Sequence, residues 1–152
     1  ELRGLPFAQQ RQILFYVIEN AGRRWRASID ASGLGMEMAE NARLKYGANV
    51  VEVSFSNAWY AENGTKLVTS VTELSVTVPA VDDVISDICA LSWIGGVVKI
   101  PDKHETVGLD GGKRHADAAI ALMLTEDAAS EEPIDMDGVK TDGEAAAPEA
   151  DG

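Results

Sequence analysis

Two carboxylates stand where an α/β chain can put them to chemical use. Asp30 follows Trp25-Arg26-Ala27-Ser28-Ile29 and precedes the glycine turn Ala31-Ser32-Gly33-Leu34-Gly35. Asp117 closes Lys113-Arg114-His115-Ala116-Asp117, at the head of an Ala-rich apolar segment. A carboxylate at the end of a buried strand reaches the crevice beyond the sheet, where open α/β folds bind ligands. A carboxylate in the first turn of a helix is favoured by the helix dipole. Each position has a plainer reading too: Asp30 as the cap of the helix after its turn, Asp117 as helix-start chemistry.

Asp117 borders an apolar stripe of Ala116, Ala119, Ile120, Met123 and Leu124. A carboxylate beside a core-facing stripe needs a partner, and a metal ion would supply one. Hard cations such as Mg²⁺ or Mn²⁺ prefer carboxylate oxygen and water. Asp110 and His115 are the further candidates for such a site; a solvated loop Asp and a surface His are the competing readings. Lys113, Arg114 and His115 could contact a phosphate backbone, as could Arg23, Arg24 and Arg26, against the alternative of a solvated face. The turn Ser32-Gly33-Leu34-Gly35 resembles a phosphate-binding loop only superficially, since no P-loop Lys follows. Asp82 and Asp83 read as helix-start residues, and Cys89 as a packing residue on an apolar face.

The elements that must position these residues follow from periodicity. Pro6 to Asn20 reads as a helix, with Pro6 in a first-turn position and Gly22 as the stop. A strand ends at Asp30, and a helix runs from about Met36 to Tyr46 with Gly47 behind it. Val50 to Phe55 reads as a strand. Asn57 to Val71 is ambiguous: a helix weakened by Gly64, or a helix followed by a β-rich stretch. Ser75 to Val78 is expected as a short strand, Asp82 to Trp93 as a helix broken by Gly95-Gly96, and Val97 to Ile100 as a strand. Asp102 to Gly112 is a loop, and His115 to Glu126 a helix. Alternating strands and helices make the class α/β.

Composition bounds the rest. The 152 residues suit one domain and a tail, and 45% hydrophobic content can build a core. No apolar run approaches the ~20 residues of a membrane span, and nothing reads as a signal peptide. One cysteine offers neither an internal disulfide nor a zinc cluster, so an intracellular setting is expected. The first residue is Glu1, so the chain is expected to begin inside a longer protein or to have been processed. Of the net charge of -12, the stretch from Asp127 to Gly152 carries -8. That stretch is rich in Ala, Glu, Asp, Gly and Pro, and is expected to be a disordered acidic tail behind a domain of residues 1–126.

Four short segments carry a family resemblance. They are Glu1-Leu2-Arg3-Gly4-Leu5-Pro6-Phe7-Ala8-Gln9-Gln10, Ile29-Asp30-Ala31-Ser32-Gly33-Leu34-Gly35, Val53-Ser54-Phe55-Ser56-Asn57-Ala58, and Lys113-Arg114-His115-Ala116-Asp117-Ala118-Ala119-Ile120-Ala121-Leu122. In this order and spacing the chain resembles the C-terminal nuclease domain of phage large terminase subunits of the Mu-like type. The resemblance implies an RNase H-like mixed sheet flanked by helices, with the first strands missing from this chain. It implies a metal-dependent endonuclease that cuts concatemeric viral DNA during packaging, using two divalent cations, Mg²⁺ or Mn²⁺. Asp30 matches the family's second acid and Asp117 its late acid. The first acid lies upstream of the helix near Pro6 and has no counterpart here, so the isolated chain is expected to need more than its own residues for activity. The implied partners are double-stranded viral DNA, the terminase ATPase domain, the small terminase subunit and the portal protein, with no membrane, in the cytoplasm of a bacterial host. A resolvase or transposase of the same fold class, a non-catalytic DNA- or partner-binding α/β fragment, and a nucleotide-binding domain using Gly33–Gly35 are the rivals.

Overall fold

The computed structural model describes residues 4–132. The expected tail lies largely beyond them. In chain order the elements are α1 (Phe7–Glu19), β1 (Ala27–Asp30), α2 (Met36–Tyr46), β2 (Val50–Val53), α3 (Asn57–Thr72), α4 (Asp82–Cys89), β3 (Ser92–Ile94), β4 (Val97–Lys99), β5 (Thr106–Val107), β6 (Lys113–Arg114) and α5 (Asp117–Ala129). The class is mixed α/β, as expected. Among the described residues the strands form three two-stranded sheets and not one mixed sheet: β1–β2 parallel, β3–β4 antiparallel and β5–β6 antiparallel.

Parallel pairing of β1 and β2 sets Ala27 beside Val50 and Asp30 beside Val53. The crossover between them is α2, which packs on β2. Ile18, Ala42, Tyr46 and Val50 form one core, with Leu14, Phe15, Trp25 and Ile29 against it. The edges of the Phe15 and Trp25 rings meet the Tyr46 ring at 5.3 and 5.5 Å between centroids. A second core joins Leu67 of α3, Val98 of β4 and Met123 of α5. Burying side chains of this size contributes about 1.5–3 kcal/mol each. A third, small-residue core of Ala90, Ala116 and Ala119 sets α4 against α5. α5 therefore touches β1, α3 and α4.

The ambiguous segment after Asn57 is one helix. The Ser56 hydroxyl caps it by accepting the Trp59 N–H at 3.1 Å. Gly64 sits inside the helix because β4 crosses there: a Cβ at Gly64 would lie 2.6 Å from the Val98 carbonyl oxygen. Other expectations are corrected. The helix expected over Asp82–Trp93 stops at Cys89, and Ser92–Ile94 pairs with Val97–Lys99 as a hairpin. Its turn is Gly95-Gly96 with φ of 61° and 84°, the two positive values a tight hairpin turn demands. Ser75 to Val78 forms no strand; Ser75 and Thr77 are exposed, and no strand among the described residues pairs with it. The loop before Lys113 contains β5, so Lys113 and Arg114 lie on a strand and the last helix begins only at Asp117. Cys89 is exposed, not packed. The boundary set at Asp127 also moves, because α5 runs on to Ala129. Residues 133–152 of the expected tail lie outside the described residues. No helix among the described residues is long and apolar enough to cross a membrane.

Candidate functional site

Asp30 is the last residue of β1 and is half-buried. Its Oδ1 accepts the Ser32 N–H at 2.8 Å, which shapes the turn into α2. The local capping role open in the sequence is therefore realised as a turn, two residues on. Its charge faces Tyr60 of α3: burial first, and the Asp30 charge second, push the Tyr60 phenol above its ordinary value.

Asp117 is exposed and opens α5, the first-turn position expected of it. It lines an open cleft of about 630 Å³ together with Asp83, Asp110 and Arg114, and with Val81, Val84 and Leu109 as apolar walls. Asp110 lines the same cleft as Asp117. Asp110 Oδ1 also accepts the Gly112 N–H at 2.9 Å. His115 is exposed, and its Nδ1 lies 3.3 Å from the His104 carbonyl oxygen. Lys113 is exposed and pairs with Glu105 at 2.8 Å.

Arg114 departs from the sequence reading. It was a candidate for DNA contact, yet it is buried at 6% exposure and paired with Asp87, which is 0% exposed. Arg114 Nε donates to Asp87 Oδ1 at 3.2 Å while Nη2 donates to Oδ2. The guanidinium is committed to Asp87 in the wall of the cleft. Burial opposes the charge on Asp87, but the hydrogen bonds from Arg114 and from the Ala118 N–H outweigh it and hold the carboxyl below the ordinary range.

Helix α5 packs on strand β1. Arg26 pairs with Glu131, and Ser28 donates to Asp127 at 2.5 Å. Strand numbers rise as helix numbers fall, so α5 runs antiparallel to β1. Asp30 is not among the residues that line the Asp117 cleft. Among the described residues no group of three or more His, Cys, Asp or Glu side chains is placed to hold a metal ion. Asp30 and Asp117 have the oxygen chemistry a hard cation takes, but they do not complete a site by themselves.

Known proteins carry the same sequence pattern. The chain is 35% identical over 126 residues to the probable terminase large subunit gp28 of Escherichia phage Mu. It is 34% identical over 125 residues to the Mu-like prophage FluMu protein gp28 of Haemophilus influenzae. Each match covers 82% of this chain. The chain is similar to a segment of these gp28 proteins. It spans about a quarter of the length of these gp28 relatives, 23% and 24%. The resemblance read from four short motifs is borne out at the level of a terminase large-subunit fragment. No family model matches the chain, and no solved structure matches it.

Two residues of this gp28-like segment escaped the sequence reading. Asp87 stands three residues after Val84 and one before Ile88, on the inward side of α4. An acid within an apolar helical stripe signals a buried partner, and that signal was available. Asp127 was assigned to the tail. Its carboxylate instead accepts from Ser28, from Trp59 Nε1 at 3.0 Å and from Asn63 Nδ2 at 3.2 Å. Composition averaged over the acidic stretch hid it.

Proposed function

We propose that this chain is the nuclease portion of a phage terminase large subunit, acting in DNA packaging as a metal-dependent endonuclease of RNase H-like fold. The observation that carries the reading is the similarity to Mu gp28 across 82% of the chain, which includes both Asp30 and Asp117. Their positions add support: Asp30 ends β1 and Asp117 opens α5. Phosphodiester hydrolysis needs an activated water and relief of charge on the leaving oxygen, and two divalent ions supply both when bound. Asp30 and Asp117 are the ligands this chain would offer them. Exposed Lys113 and His115 are the groups that would meet the DNA backbone, a contact indifferent to sequence. Arg114 is not among them.

A second reading is a DNA- or partner-binding module without catalysis. The lack of a three-ligand cluster among the described residues favours it. The deciding experiment is nicking of supercoiled plasmid by the full-length protein that carries this chain, with EDTA and with a Mg²⁺ or Mn²⁺ titration. Open-circle product that requires metal is expected. Plasmid binding with no nicking at any metal concentration overturns the nuclease reading in favour of the module.

A further inference from the structure

The start of α5 does not hold itself. Ala116 occupies the capping position with φ 61° and ψ 39°, a left-handed conformation unfavourable for a residue with a Cβ. Ala has no side-chain acceptor, and no side chain of the capping residue bonds the helix. Ala116 is nonetheless 0% exposed. Backbone strain of this kind persists only where the surroundings dictate it.

The surroundings are a clasp from another helix. Asp87 of α4 reaches across, and its Oδ2 accepts the Ala118 N–H at 2.9 Å, satisfying a helix-start donor that Ala116 cannot. The same carboxylate holds Arg114 through two guanidinium nitrogens. Arg114 Nη1 also faces Asp83 at 3.8 Å, and Asp83 accepts the Leu109 N–H at 3.1 and 3.2 Å. Gly108 lies directly over the clasp: a Cβ there would stand 2.8 Å from Arg114 Cδ and 3.1 Å from Asp83 Oδ2. Asp117 is thus bracketed, with Arg114 anchored three residues before it and Ala118 anchored one residue after, both on one buried carboxylate.

We propose that Asp87, acting through Arg114 and the Ala118 N–H, is the positioning residue that fixes the Asp117 carboxylate in its cleft. The proposal rests on the nuclease reading for what Asp117 does there. A buried ion pair is a poor device for stability, because apolar side chains of similar volume serve as well or better. It is a good device for geometry: the planar guanidinium fork fixes direction as well as distance. Groups that orient a ligand typically change metal affinity or activity ten- to a hundredfold when removed.

The test uses the full-length protein with Asp87→Ala, Asp87→Asn and Arg114→Lys. Ile18→Ala, in the separate α1–α2 core, supplies a control of lowered melting temperature. The readouts are the Mn²⁺ concentration for half-maximal nicking and the hydrogen-exchange protection of the Ala118 amide. Asp87→Ala is expected to raise that concentration roughly ten- to a hundredfold and to strip Ala118 protection. Asp87→Asn keeps an acceptor oxygen and should restore protection and part of the metal response. Arg114→Lys loses the fork and should raise the metal requirement with Ala118 still protected; it and Asp87→Asn carry the test if Asp87→Ala does not fold. An equal shift in Ile18→Ala, or wild-type metal dependence in every folded clasp variant, overturns the proposal. If the wild type never nicks DNA, the nuclease reading fails alone: loss of Ala118 protection in Asp87→Ala with rescue by Asn still supports the clasp, and unchanged protection overturns it.

Discussion

The Ser28 hydroxyl donates to the Asp127 carboxylate at 2.5 Å, tying the last turns of α5 to the middle of β1 across 99 residues of sequence. The same carboxylate takes the Trp59 indole N–H and the Asn63 amide, so one side chain joins β1, α3 and α5. Asn63 is 0% exposed, and water cannot replace a partner it loses. Asp127→Ala is expected to cost about 2–3 kcal/mol, because buried donors are left unsatisfied. Asp127→Asn retains one acceptor and should cost about half as much. Urea unfolding followed by Trp fluorescence measures both. A loss within ~0.5 kcal/mol of zero, the range of ordinary surface changes, would return Asp127 to the status of a tail residue.

Gly64 offers a test with an inverted sign. Alanine normally stabilises a helix interior over glycine by about 1 kcal/mol. Here the added Cβ would meet the Val98 carbonyl oxygen at 2.6 Å and the Val98 Cβ at 2.9 Å. Backbone cannot yield as a flexible side chain can. Gly64→Ala is expected to destabilise by about 1–3 kcal/mol, the range of overpacking in a close-packed core. Thermal melting of the variant decides; a raised melting temperature would mean that α3 and β4 are not in contact at that point.

Particular residues show why some of this was legible in the sequence and some was not. α2 was read at its observed bounds because Met36 to Tyr46 has both a preceding glycine turn and a terminating Gly47. β1 was legible through the glycine turn behind Asp30. Gly95-Gly96 reads as a helix breaker, although two glycines between Ser92-Trp93-Ile94 and Val97-Val98-Lys99 are equally a hairpin signal. Asp117 was placed correctly at a helix start, since that is a local matter. Arg114 was misplaced, since burial depends on Asp87, 27 residues away in sequence. A local pattern cannot distinguish a solvated arginine from one committed to a distant carboxylate.

The Asp87 clasp gives the protein an acid-sensitive contact. The Asp87 carboxyl lies below its ordinary value of 3.8. A group lowered on folding contributes stability that is present above its unfolded value and lost as pH falls through the folded one. Stability should therefore decline as pH drops below about 4, and Asp87→Asn should flatten part of that decline while lowering stability at neutral pH. Glu19 is also lowered, by hydrogen bonds from Lys45 first and Tyr46 second, and its share of the decline should survive the substitution. Urea midpoints at a series of pH values from neutral to acid measure the slopes. Identical slopes in wild type and Asp87→Asn would mean that the carboxyl is not held low.

The proposed ligands differ in what their loss should do. Asp117→Asn keeps size and hydrogen-bonding reach but removes the charge a hard cation requires. In the full-length protein it is expected to lower metal-dependent nicking on the order of a hundredfold or more, while the fold persists. Asp30→Asn should do the same, since its amide oxygen can still accept the Ser32 N–H and keep the turn into α2. It should also let the Tyr60 phenol titrate at lower pH, because the Asp30 charge is one of the two causes holding it up. That second effect reports whether the substitution acted where intended, independently of any catalysis. If Asp117 only favours the start of α5, its neutralisation should cost about 0.3–1 kcal/mol and leave nicking alone. The decisive pair of measurements is thermal melting with and without Mn²⁺, and nicking of supercoiled DNA. A wild-type nicking rate in Asp117→Asn removes it from catalysis, and an undiminished Mn²⁺-induced rise in melting temperature removes it from the ligands.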